Sequence, residues 1–353
     1  MSEHNRLFSH IPERIVGLEK LAENLWWSWQ PSARMLFKRL NRLAWKDSGH
    51  NPDKMLRELP ALYLERAAAD PDYLRHYDLT MWRFHQETQP ASCPELGVKS
   101  DSTRQSIAYF SAEYGLHHSL PFYAGGLGFL AGDHLKECSD LGVPLIGMGF
   151  MYPSGYLLQR INEQGWQEDV AQPLNREAAA ISRVYDHQGG QMMVKVPLIQ
   201  PELQVAVWSI DVGRTRLYLM DTDIAENTPQ DREIGGRLYS GDLETRLRQE
   251  IILALRLCGH CNGVSREHGR VTRRMWNSLW PNQSEDEISI VHVTNGVHLP
   301  TWISPKMRIL FDRYLGRQWR DHPEKSEIWE FVQEIPDEEL WRTHYWQKIK
   351  LFD

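Results

Sequence analysis

The residues best suited to chemistry are gathered in a few short stretches. The first is Tyr123-Ala-Gly-Gly-Leu-Gly-Phe-Leu-Ala-Gly-Asp133. It puts Gly125, Gly126 and Gly128 between a β-rich run and a helix. Glycine permits positive φ and lets a ligand come close to the backbone. A helix start adds unpaired N–H groups and a partial positive charge, which suit a phosphate or a sugar oxygen. The spacing is not a dinucleotide fingerprint. The next glycine, Gly132, comes one residue too late for GxGxxG, and no acidic ribose partner stands at the expected distance. The competing reading is a tight turn with close helix–sheet packing.

The second stretch, His292-Val-Thr-Asn-Gly-Val-His298, ends an apolar run at 288–293. Ligands of open α/β sheets bind at such strand ends, and Asn295 and His298 could hydrogen-bond sugar hydroxyls. Asn295-Gly296 reads equally well as a plain turn. The third, Cys258-Gly-His-Cys261, has the spacing of a redox dithiol or half a zinc site. It trails a helical run, Thr245–Leu257, and Asn262-Gly263 suggests a helix end, whereas a redox motif should follow a strand and open a helix. Cys93 and Cys138 stand alone, so a four-cysteine zinc site is not expected and two ordinary thiols are. The charged stretch 237–250 fits a solvated helix with i,i+4 pairs, Asp242–Arg246 and Glu244–Arg248.

The elements that must position these residues fall into two kinds. Residues 15–29 place Ile15, Leu18, Leu21, Leu25 and Trp29 at helical spacing. Pro31-Ser32 restarts the pattern through Met35, Leu36, Leu40 and Leu43, and 55–69 resumes it. Trp26, Trp27 and Trp29 are expected to pack rather than to stack on sugar. A polar, proline-containing stretch at 87–97 marks a boundary. Beyond it, 106–111 reads as a strand, 130–141 as a helix and 143–152 as a buried strand. That is a βαβ unit implying a parallel sheet. The runs 193–198, 204–212 and 216–221 read as strands forming an antiparallel insert or sheet edge. Between 224 and 287 no strand is expected, and the next is 288–293. The last helix opens at Asp337-Glu338-Glu339, with Leu340, Trp341, Tyr345, Ile349 and Phe352 on its apolar side. No Gly, Asn or Pro stops it, which suggests a continuing chain.

The chain has 353 residues, suiting two domains. Twelve of its 14 tryptophans lie outside 83–275, so the ends and the middle differ in construction. A net charge of −7 gives no case for nucleic acid or an anionic membrane. No apolar run nears the ~18 residues of a membrane span, and the start lacks a secretory h-region, so a cytoplasmic protein is expected.

Residues 107–169 (IAYFSAEYGLHHSLPFYAGGLGFLAGDHLKECSDLGVPLIGMGFMYPSGYLLQRINEQGWQED) closely resemble the α-glucan (glycogen, starch, maltodextrin) phosphorylases. RLYSGDLETRLRQE (237–250), NGVSREHGRVTRRMW (262–276) and VTNGVHLPTW (293–302) resemble later blocks of that family in the same order. LAENLWWSW resembles the helical extension of a bacterial subclass. The resemblance implies an α/β fold: the N-terminal Rossmann-like domain of a GT-B glycosyltransferase (99–353), preceded by a small all-helical domain (1–98). It implies glucosyl transfer from the non-reducing end of an α-1,4-glucan to inorganic phosphate, giving glucose 1-phosphate. The family uses the phosphate of pyridoxal phosphate as acid/base partner of the substrate phosphate.

By position, Gly126 and Leu127 match glycine-loop residues whose backbone faces sugar and phosphate, flanked by Gly125 and Gly128. Asn295 matches an asparagine that bonds the glucosyl unit, with His298 beside it. Glu113 matches an acidic residue next to the loop. Two departures stand out. The family's cofactor lysine lies in a second domain that residues 1–353 do not match. A family segment between RQEIIL and NGVS, holding a sugar-contacting histidine, is shortened near 254–258. The expectation is therefore a phosphorylase portion that is inactive alone, with a homodimer or a separate second-domain chain as partner. A non-catalytic glucan binder is the alternative, and a thiol oxidoreductase through Cys258 and Cys261 a third.

Overall fold

In the computed structural model, the residues described are 8, 10–91, 107–153, 158–170, 174–176, 179–196, 202–236, 238, 248, 261–277 and 283–352. They form two compact units, residues 1–27 with 32–297, and residues 28–31 with 298–353.

The first unit opens with short helices. Helix α1 is Leu18–Glu23 and α2 is Pro31–Leu40. Asn41 caps α3 (Arg42–Asp47) by accepting from the Leu43 and Ala44 N–H groups. Asn51 caps α4 (Pro52–Glu58), and Leu59-Pro60 separates it from α5 (Ala61–Ala69). Asp70 caps α6, Pro71–Thr88. A side-chain acceptor at N-cap followed by proline in the first turn is a strong start signal.

The continuous helix expected over 15–29 is broken instead. Glu13–Ile15 and Leu25–Ser28 are 3-10 turns, and Asn24 between them is extended. The reason is a tertiary bond. The Asn24 Oδ1 accepts from Gly213 N at 2.8 Å, and its Nδ2 donates to Gly213 O at 3.0 Å. Helix propensity, worth tenths of a kcal/mol, yields to two buried hydrogen bonds.

Trp26 and Trp27 are 0% and 2% exposed. Trp26 Nε1 donates to Glu87 on α6, and the Trp27 ring meets Phe37, Trp45 and His117 edge-on. They are core, as expected of such large apolar rings.

Strand β1 (Ile107–Phe110) pairs in parallel with β2 (Leu145–Phe150), Tyr109 opposite Gly147. Helix α7 (Gly126–Leu141) connects them and ends on Gly142 at φ 70°, the left-handed cap that glycine favours. This is the expected βαβ unit. A hairpin, β3 (Leu158–Ile161) with β4 (Gln167–Val170), follows. β5 (Ser182–Arg183), β6 (Met193–Val196), β7 (Leu203–Val212) and β8 (Thr215–Asp221) complete the sheet, in the order β1-β2-β8-β7-β5, with β6 also on β7. β7 is antiparallel to β5, β6 and β8, giving the antiparallel edge expected. β8, however, lies inside and runs parallel to β2.

The turn between β7 and β8 ties the layers together. The Arg214 guanidinium donates to the carbonyls of Gln86 and Gln89 at the end of α6 and of Ser139 at the end of α7. One cation thus serves the free carbonyls of two helix ends.

After α8 (Pro229–Arg232), a second parallel pair corrects the strandless reading of 224–287. β9 (Cys261–Gly263) pairs with β10 (Ile290–His292), with α9 (Arg266–Trp276) between them in the chain. A three-residue Cys-Asn-Gly strand carries no periodicity to detect. Gly263 is needed because a Cβ there would lie 2.4 Å from Gly269 N on α9.

The second compact unit contains α10 (Leu299–Trp302), α11 (Pro305–Tyr314), α12 (Gln318–Asp321), α13 (Ser326–Glu330) and α14 (Asp337–Phe352). Its core is Leu310, Leu315, Trp319, Ile328 and Ile335. Phe311 and Trp329 meet the Trp319 ring. On α14, Leu340 packs on this core, whereas Trp341 and Tyr345 are exposed, so its apolar side is only partly buried.

Candidate functional site

The glycine turn is built against the segment 111–116. Tyr114 N donates to Phe122 O, and Gly115 N to Gly128 O, both at 2.6 Å. These bonds lay 111–116 across the first turns of α7. The approach is close enough to demand glycine. A Cβ on Gly132 would meet Gly115 O at 2.3 Å, and one on Gly128 would meet Tyr123 Cβ at 2.5 Å and Glu113 Oε2 at 2.8 Å. The packing reading of the glycines therefore holds for Gly128 and Gly132.

It does not extend to the other two. Cβ atoms built on Gly125 and Gly126 would meet nothing within 4 Å. Gly128 N and Phe129 N donate to Gly125 O. Among the described residues, the N–H groups of Gly126 and Leu127 make no hydrogen bond. They are the free donors of the first helical turn, beside open space.

Glu113 is what holds this turn. It is 2% exposed, and its Oε2 accepts from Ala124 N at 2.7 Å and Gly125 N at 3.2 Å. A buried carboxylate needs such donors. Below it, the Lys136 Nζ, also 2% exposed, donates to Leu116 O at 3.1 Å, and burial lowers its pKa to about 8. Lys136 was not singled out in the sequence. Its position on α7, three residues after Asp133, is the signal that was there to read.

Asn295 lies exposed in the loop after β10, and among the described residues it makes no hydrogen bond to Glu113 or the glycine turn. His298 belongs to the second compact unit. It is 1% exposed, with Nδ1 2.8 Å from Thr301 Oγ1 and its ring edge-on to Trp29 at 5.8 Å. It is a packed histidine here. The structure thus joins Glu113, Gly125, Gly126, Leu127 and Gly128 in one place.

Cys261 opens β9 opposite Ile290 and is half-buried. The helix end expected there is a strand, which is not the helix start that a redox pair uses. Cys258 and most of 237–250 lie outside the described residues, as does the junction at 254–258. No group of three or more metal-ligating side chains occurs among the described residues, and no helix among them is long and apolar enough to cross a membrane.

The first unit is thus a mixed α/β domain with a parallel-sheet core and a glycine turn at the head of the helix after its first strand. Comparison with known proteins is more specific. Residues 11–120 match a family described as a protein of unknown function (DUF3417), a region found at the N-terminus of bacterial phosphorylases. The chain is 33% identical to a glycogen phosphorylase of Aquifex aeolicus, over 96% of this chain and 63% of the relative. It is 29% identical to a maltodextrin phosphorylase of Thermococcus litoralis, over 96% of this chain and 53% of that one. A Mycobacterium tuberculosis glycogen phosphorylase matches at 28% identity, over 94% and 53%.

The chain is a homologue of the glycogen and maltodextrin phosphorylases along nearly its whole length. It spans between about half and five-eighths of the length of these relatives.

Proposed function

We propose that this chain carries the glycine-turn portion of an α-1,4-glucan phosphorylase. The reaction is transfer of a glucosyl unit from the non-reducing end of glycogen, starch or maltodextrin to inorganic phosphate, releasing glucose 1-phosphate. One observation carries the reading to this site. The Gly126 and Leu127 N–H groups make no hydrogen bond among the described residues, a Cβ on Gly126 would meet nothing within 4 Å, and the Glu113 carboxylate holds the turn through Ala124 and Gly125. Donors fixed in advance at a helix start stabilise negative charge as a glycosidic bond breaks, without reorganising. Asn295 supplies a hydrogen bond to the glucosyl unit in this reading.

The resemblance implies pyridoxal phosphate, and the residues present do not fit a covalent hold on it. Lys136 is the buried lysine among the described residues, and its amine is engaged by Leu116 O beneath the turn. No step is therefore routed through that cofactor. In this reading residues 1–353 bind glucan but do not release glucose 1-phosphate by themselves. A shortened segment near 254–258 belongs to the same reading. Its support is that the alignments run over 445 to 464 positions, against 353 residues in the chain.

The test is affinity electrophoresis of the purified chain through gels with and without glycogen, beside an assay for glucose 1-phosphate. Retardation by glycogen, weakened in Gly126→Val and Asn295→Ala, with no product from glycogen and phosphate, is expected. Unretarded migration would remove the glucan reading, and product release would remove the claim of inactivity.

A further inference from the structure

A second cluster of polar side chains lies in the first compact unit, formed by α2, the turn at Gly49-His50 and the loop at His117-His118. Arg34 and Lys38 are one helical turn apart on α2, on the same face. The His118 Nε2 donates to Gly49 O, which fastens the loop to the turn. The His50 and His118 rings are 6.0 Å apart and edge-on, and His117 and His118 are 4.0 Å apart.

The cluster is cationic throughout. The charged groups bearing on His50 are His118, Lys38, Arg34 and Lys46. Those bearing on His117 are His118, Lys136, His50 and Arg34. No carboxylate is among them, in a chain with 47 acidic residues against 40 basic ones. Arg34 is half-buried and, among the described residues, makes no hydrogen bond or ion pair. Burial alone lowers its guanidinium, with no acidic neighbour to offset this. A desolvated guanidinium with five idle donors is an unfavourable arrangement unless an anion completes it.

Two further features fit a site rather than an accident of folding. Gly49 and His50 are consecutive residues at positive φ, 63° and 58°, and His50 is the non-glycine residue held there among those described. That conformation is strained for a histidine and fixes where its ring stands. Lys38, His50 and His118 are also exposed, so a solute can reach them.

We propose that Arg34, Lys38, His50 and His118 form an anion site for a phosphoryl group, separate from the glycine turn. The guanidinium fork suits a tetrahedral oxyanion. The lysine adds a point charge, and imidazoles add donors whose number rises on protonation. The cluster is compact and the chain is acidic overall, so the ligand is a small dianion rather than a nucleic acid. Inorganic phosphate and a sugar phosphate share this chemistry.

The test is isothermal titration calorimetry of the 353-residue chain with inorganic phosphate and, separately, glucose 1-phosphate, against chloride at equal ionic strength. Saturable binding is expected at neutral pH. Arg34→Gln should weaken it about tenfold or more, and Lys38→Gln about threefold. Arg34 has no bond to lose, so the variant should keep its circular dichroism. Lys38→Gln, at an exposed position, gives a second reading should it not. A sugar phosphate that binds clearly tighter than phosphate identifies the former as ligand, and equal affinities identify the latter. No saturable binding of either, or unchanged binding in both Arg34→Gln and Lys38→Gln, would overturn the proposal. Either result would leave the glycine-turn reading standing.

Discussion

Gly132→Ala sets helix propensity against packing, and the two predict opposite signs. Inside α7, alanine should be better than glycine by about 1 kcal/mol. The new Cβ, however, would lie 2.3 Å from Gly115 O and 2.8 Å from its carbonyl carbon. An ordinary C···O contact is about 3.3 Å, so one of the two backbones must move by roughly 1 Å. Neither is free to do so, since Gly115 N is bonded to Gly128 O at 2.6 Å and Tyr114 N to Phe122 O. Overpacking costs about 1–3 kcal/mol, and a clash between two tethered backbones belongs at the upper end. The net expectation is a loss of about 2 kcal/mol. At a urea m-value of about 2 kcal/mol/M, this lowers the midpoint by about 1 M. Gly126→Ala is the control. Its Cβ meets nothing within 4 Å, and its midpoint should stay within about 0.3 M of the parent. Urea unfolding followed by circular dichroism measures both. A Gly132→Ala chain as stable as the parent, or more so, would refute the close approach of 111–116 to α7.

Other expectations follow from the same contacts. Glu113→Gln replaces a charged acceptor by a neutral one at two backbone N–H groups, so amide exchange at Ala124 and Gly125 should speed up by about tenfold, read by hydrogen-exchange mass spectrometry. Unchanged exchange would mean that Glu113 does not hold the turn. Trp26→Phe removes the bond to Glu87, whereas the Trp27 Nε1 is buried without a partner among the described residues. Trp26→Phe should therefore cost about 1 kcal/mol more than Trp27→Phe in thermal unfolding. Burial and the cationic neighbours His118, Lys136, His50 and Arg34 hold the His117 imidazole down to about 2, against an unfolded value of 6.5. Between those values the unfolded chain binds one more proton. Stability present above pH 6.5 is thus lost as pH falls, at up to about 1.4 kcal/mol per unit. His117→Gln should flatten the decline between about pH 6.5 and 4.5, and an equal slope in both proteins would exclude His117 as its source.

The strand–glycine turn–helix–strand order was legible because each part carries its own local signal: a β-rich run, clustered glycines, a 16-residue helix and an apolar strand. The packing of Trp26 and Trp27 was legible from their large apolar rings. What escaped depends on partners distant in sequence. Asn24 interrupts a helical pattern because of Gly213. β9 exists because Ile290–His292 lies beside it, since nothing in Cys-Asn-Gly favours a strand. The site was legible in part. The glycines announce a turn, but only the coordinates separate Gly128 and Gly132, which serve packing, from Gly125 and Gly126, which face open space. The cationic cluster left no signal, because Arg34, His50 and His118 come from three segments with no shared motif.

The bond between Asn24 and Gly213 spans 189 residues. A ribosome adding about 5–20 residues per second would take roughly 10–40 s to make that stretch. The helices at the start of the chain therefore leave the ribosome well before the turn that completes them, and Arg214, which joins α6 to α7, is one residue later still. During that interval the Asn24 amide and the carbonyls ending α6 have only water for partners. The early segment is then open to chaperones and proteases, and a pause in translation before Gly213 would prolong the exposure.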